Sequence, residues 1–175
     1  MCKIIANLFG FFVKSIKKSQ DNVKKSQNEE VFEMELKESE AWKELLERVK
    51  KHEGFSSKPY KCPAGKLTIA YGRNIEDNGI TKDEAEYLLI NDLTGSMDEL
   101  LKNFPWVDTM SIRRQYVLVE MVFNMGIAKF KQFKKMIEYC RIGDYEKAAE
   151  QALDSAWHKQ VGKRAETLAK ILKEG

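Results

Sequence analysis

Glu53, Cys62 and Thr68 are the side chains whose type and spacing suggest chemistry, with eight residues between the first two and five between the second two. A carboxylic acid can give up a proton, a thiol can act as base or nucleophile, and a hydroxyl beside either can orient water. Glu53 falls where a helical pattern stops at Gly54, a residue free to take the positive φ that ends helices. The last carbonyls of a helix carry partial negative charge and disfavour a second anion, which suits a general acid. On position alone a glutamate in a last turn is most often an ordinary exposed residue, so the spacing carries the argument. A thiol loses its proton near ~8.5 in ordinary surroundings. Cys62 is therefore a poor base while neutral and a good base or nucleophile as thiolate.

The elements that must hold these groups are a helix and a hairpin. Over residues 38–52, Trp42, Leu45, Leu46 and Val49 recur at helical spacing. Two strand-like runs follow, Lys58-Pro59-Tyr60-Lys61 and Lys66-Leu67-Thr68-Ile69-Ala70-Tyr71, joined by Cys62-Pro63-Ala64-Gly65. Proline second and glycine fourth predict a type I turn, with Cys62 at the turn and Thr68 on the return strand. Alternation puts Leu67, Ile69 and Tyr71 on one face and Thr68 and Ala70 on the other. Gly72 ends the strand, and Asp77-Asn78-Gly79 reads as a turn.

Helices dominate the remainder. Thr81 with Glu84 three residues on forms a capping box, and apolar spacing from Ala85 to Leu101 carries a helix to about Asn103, stopped by Pro105. Residues 111–125 become apolar on nearly every side, the pattern of a buried central helix closed by Gly126. Phe130, Phe133, Met136, Ile137 and Cys140 predict one further helix ending at Gly143. Asp144 caps a short one, and residues 161–172 predict the last.

The 175 residues suffice for one domain or two small lobes plus a tail. Net charge is +3 and uneven: residues 1–27 hold six lysines and one acid, residues 28–40 six glutamates and one lysine. A weakly basic body argues against duplex nucleic acid and suits an approach to an anionic polymer such as a cell wall. Three cysteines, Cys2, Cys62 and Cys140, give no disulfide framework and no zinc spacing. Residues 4–13 form an apolar run flanked by lysines, too short to span a bilayer. A secretory signal, an interfacial anchor touching membrane through residues 3–18, and a helix docked on the body are three open readings. Residues 1–37 thus read as an N-terminal apolar and basic segment with a charged linker, and residues 38–175 as the domain that would carry the chemistry.

The spaced triad resembles the signature of phage lysozymes of glycoside hydrolase family 24, the T-even phage lysozymes and related endolysins. The resemblance extends through Thr68-Ile69 and Gly72, through the Gly79–Glu86 block opening the long helix, and through Met121-Val122-Phe123-Asn124-Met125-Gly126. Trp157 and Lys163-Arg164-Ala165 continue it, so about residues 41–172 are covered. It implies an α+β, lysozyme-like, mainly helical fold. A small β-hairpin lobe and a helical lobe would be joined by a long helix, with the active-site cleft between; the short 73–81 segment implies a trimmed small lobe.

The resemblance implies hydrolysis of the β-1,4 bond between N-acetylmuramic acid and N-acetylglucosamine in peptidoglycan, causing host lysis. Glu53 would protonate the leaving oxygen, while Cys62 and Thr68 handle the water or the developing cation. It implies Asn74, Phe123, Asn124 and Gln151 as substrate-binding residues and Arg164 as a supporting partner of the acid. A histidine of the family is Arg73 here. No metal, cofactor or nucleic acid is implied, and a monomer is expected. The enzyme would wait in the host cytoplasm, free or tethered to the inner membrane. A holin or an N-terminal signal-anchor would release it to the periplasm. Rival readings are a lytic transglycosylase on the same bond, a non-catalytic wall- or membrane-binding protein, and a cysteine peptidase pairing Cys62 with His52 or His158.

Overall fold

The computed structural model describes residues 39–175. The apolar run 4–13, its flanking lysines, Cys2 and the boundary expected at residues 37–38 lie outside the described residues. The chain divides into two compact units, with the break between Gly79 and Ile80.

The first unit opens with helix α1, Glu40–Glu53. Ser39 caps it by accepting from the Trp42 amide at 3.2 Å, and Gly54 ends it at φ 67 with its N–H on the Lys50 carbonyl. A small antiparallel sheet follows: β1 Ser56–Lys61, β2 Leu67–Ala70 and β3 Arg73–Asn74, in that order. In the expected turn the Gly65 amide donates to the Cys62 carbonyl at 2.8 Å and the Cys62 amide to the Lys66 carbonyl at 3.0 Å. Tyr60 pairs with Thr68 and Lys61 with Leu67, and a bulge separates them from the Ser56–Ala70 pair.

The expected hairpin is therefore extended by a third strand, which pairs Thr68 with Asn74 and Ile69 with Arg73. β2 also stops before Tyr71, because Ala70 adopts φ 57, a left-handed conformation that breaks the ladder. Thr68 is the buried face of β2, while Leu67 and Tyr71 are exposed. The segment expected as a turn is the end of helix α2, Ile75–Asn78. Its cap is Asn74, which accepts from the Asp77 amide at 3.1 Å.

The second unit is helical. Helix α3, Lys82–Asn103, begins with the expected capping box: Thr81 Oγ1 accepts from the Glu84 amide, and Glu84 Oε2 accepts from the Thr81 amide. Pro105 stops it and opens a short 3-10 turn, Pro105–Thr109. Helix α4, Ile112–Met125, is the predicted central helix and buries Val117, Leu118, Val119, Met121 and Val122. Each such side chain contributes roughly 1.5–3 kcal/mol by leaving water. Around it pack Leu100, Val107, Phe130, Met136, Trp157, Leu168 and Leu172.

Two expectations need correction here. The helix expected through Phe130 and Cys140 is two helices, α5 Ile127–Phe130 and α6 Lys134–Arg141. After α7, Tyr145–Leu153, residues 156–161 form their own helix, α8 Ala156–Val161. Gly162 at φ 54 breaks the chain before α9, Lys163–Glu174, so Val161 belongs to the preceding helix. Among the described residues no helix is long and apolar enough to cross a membrane.

Candidate active site

The first unit brings the helix end and the sheet together. Glu53 is the last residue of α1 and is exposed. Its carboxylate lies against the backbone of Gly72, in the turn between β2 and β3. A Cβ built on Gly72 would stand 2.9 Å from Glu53 Oε2 and 3.6 Å from the carboxyl carbon. Beside this contact the Phe55 and Tyr71 rings pack at 5.4 Å between centroids.

Cys62, half-buried at the hairpin turn, sits among donors. The Lys66 amide, then the Ala64 amide and the Thr68 hydroxyl, hold the thiol below the usual thiol range against the opposing effect of burial. Thr68 is almost fully buried, at 3% exposure, and its hydroxyl donates to the Lys66 carbonyl at 3.1 Å. When the sulfur is charged, turning that hydroxyl toward it gives the thiolate a further donor. Neither His52 nor His158 is among the groups that shift this thiol. His158 faces the Leu153 carbonyl at 2.7 Å. The other described cysteine, Cys140, is buried, and burial pushes its thiol up to about 12.

Asn74 lies opposite Thr68, but its side chain is engaged at Asp77: Oδ1 caps α2 and Nδ2 donates to Asp77 Oδ2 at 3.0 Å. In the second unit, Asn124 and Gln151 line one cavity of about 600 Å³ with Trp157. Trp157 Nε1 donates to Asn124 Oδ1 at 2.8 Å and fixes that amide. Phe123, 39% exposed, lines a second, more apolar cavity of about 590 Å³ with Arg164. Arg164 Nε donates to Glu120 Oε1 at 2.9 Å. The sequence reading missed Glu120 as a partner, because the two residues are 44 apart and no local pattern links them. Gly72, read from the sequence as a strand end and a residue of the family pattern, gives no local sign of its approach to Glu53. Arg73 donates through Nε to the Gly79 carbonyl at 2.9 Å. No group of side chains among the described residues could hold a metal ion.

A small antiparallel sheet with a carboxyl at a helix end, followed by an all-helical unit, defines a lysozyme-like α+β protein. The chain belongs to the phage lysozyme family, a family of lysozyme-type glycosidases, and matches it over residues 50–171. It is 31% identical over 114 residues to the pre-baseplate central spike protein Gp5 of Enterobacteria phage T4, covering 62% of this chain and 20% of that protein. It is also 31% identical over 121 residues to an endolysin of Acyrthosiphon pisum secondary endosymbiont phage 1, covering 66% of this chain and 80% of the endolysin. The chain thus spans only a fifth of the spike protein and most of the endolysin.

Proposed function

We propose that the chain is a phage endolysin of the muramidase type, cutting the β-1,4 bond between N-acetylmuramic acid and N-acetylglucosamine in peptidoglycan. The observation that carries this reading is the placement, within one small unit, of the Glu53 carboxylate on the Gly72 turn and of Cys62 within reach of Thr68. Glu53 delivers its proton to the departing glycosidic oxygen. Cys62, as thiolate, either takes a proton from the attacking water or attacks the sugar itself, and Thr68 orients the incoming group. Asn124 and Gln151 offer amides to the glycan from their shared cavity, with Trp157 holding the first. Arg164, expected as a supporting residue, is held within its own unit by Glu120. Peptidoglycan is the partner, reached after release from the host cytoplasm or inner membrane.

The test is product analysis of digested peptidoglycan by mass spectrometry, with the anomeric configuration recorded by NMR. Reducing-end muramic acid, one water heavier than an anhydro product, is expected. A 1,6-anhydro sugar would instead assign the chemistry to a lytic transglycosylase. Retention of the fresh anomer would make Cys62 a nucleophile, and inversion a base. Glu53→Gln is expected to abolish clearing of chloroform-treated Gram-negative cells.

A further inference from the structure

We propose that Gly72 is a positioning residue for the general acid: its bare Cα is the seat that fixes the Glu53 carboxylate relative to the Cys62–Thr68 pair. The proposal rests on the reading of Glu53 as the acid and adds the part that holds it. Two observations meet at this point. The carboxylate approaches the glycine through one oxygen, with Oε2, the carboxyl carbon and Cγ at 2.9, 3.6 and 3.9 Å from where a Cβ would stand. Gly54, Gly65 and Gly79 also have positive φ, yet a Cβ on any of them would meet nothing within 4 Å. Positive φ alone therefore does not account for the close approach at Gly72.

The seat is tied to the rest of the chemistry by the sheet. Gly72 links β2 to β3, and two residues on Asn74 pairs with Thr68, which is in turn within reach of Cys62. The same joint is braced by the Phe55–Tyr71 ring contact and the Ser56–Ala70 pair. Any methyl on Gly72 must push the carboxylate away from this frame, because an approach of 2.9 Å is shorter than a carbon and an oxygen tolerate. Proton delivery to a leaving oxygen depends steeply on such placement, and a displacement of about 1 Å can cost on the order of a hundredfold in rate.

The experiment compares Gly72→Ala with Gly79→Ala, a second glycine of positive φ, +59, at which a Cβ would meet nothing within 4 Å. A soluble peptidoglycan fragment serves as substrate, and melting temperature is measured alongside. Gly72→Ala is expected to lower kcat by about a hundredfold with KM within about twofold. Gly79→Ala is expected to lose stability through backbone strain and keep kcat. In a Glu53→Gln background, Gly72→Ala should bring no further loss. Should Gly72→Ala fail to fold, a pH titration of the native protein by NMR serves instead: the Gly72 resonances should move with the Glu53 carboxyl and stop moving in Glu53→Gln. Equal kcat for the two alanine variants, or Gly72 resonances indifferent to Glu53, overturns the proposal. An active Glu53→Gln overturns the reading of the acid itself, and the proposal with it.

Discussion

At the scale of the residue, two thiols of one chain are driven in opposite directions. Amide donors and Thr68 favour the charged form of Cys62, and burial forbids it at Cys140. Cys62→Asp should stay active in turbidity clearing, since it keeps an ionised group at the turn, whereas Cys62→Ala should lose activity by orders of magnitude. Equal activity of the alanine variant would remove Cys62 from the chemistry. Cys140 acts on stability. Its folded value, about 12, exceeds that of an unfolded thiol, so the unfolded chain releases the proton first as pH rises. Stability is then fully present below about pH 8.5 and falls by about 1.4 kcal/mol per pH unit from there to the folded value. Cys140→Ala should shift stability by a constant offset and flatten that alkaline slope in denaturant titrations; an unchanged slope would refute the assignment. The spacing of Glu53, Cys62 and Thr68 was legible in the sequence because it is local. The anchoring of Arg164 on Glu120 was not, because only the packing of α4 against α9 brings them together.

At the scale of the element, most helices could be read from apolar spacing and caps, as Thr81 with Glu84 and Asp144 with the Lys147 amide illustrate. The failures share a cause. β3 has two residues and α2 has four, too short for any periodicity to register. The split of the 130–140 region and the separate α8 depend on backbone breaks at residues 131–133 and at Gly162, where apolar spacing runs on regardless. Ala70 is a further case: a left-handed alanine at φ 57 where nothing in its type announces a break. Left-handed backbone costs an L-residue about 1–2 kcal/mol, and glycine gives back roughly 0.5–1 kcal/mol through its freer unfolded state. Ala70→Gly should therefore stabilise by up to about 1 kcal/mol in urea unfolding, and Ala70→Val should destabilise. Destabilisation by the glycine variant would mean that the alanine methyl makes a contact worth more than the strain.

At the scale of the whole molecule, the two units are built on different resources. Residues 80–175 enclose a continuous apolar core around α4. Among the described residues before the break, Thr68 alone is buried, and it is polar. The apolar stripe of α1, Trp42, Leu45, Leu46 and Val49, is about 40% exposed. Segments with few buried apolar contacts open first, at a fraction of the global unfolding free energy. On heating, clearing activity should fade at a lower temperature than the far-UV helix signal; coincident midpoints would show that the two units melt as one. The buried Thr68 then has a practical meaning. The working lifetime of the proposed activity would follow the three-stranded sheet instead of the helices. A formulation chosen by helix content alone would pass material that has already stopped working.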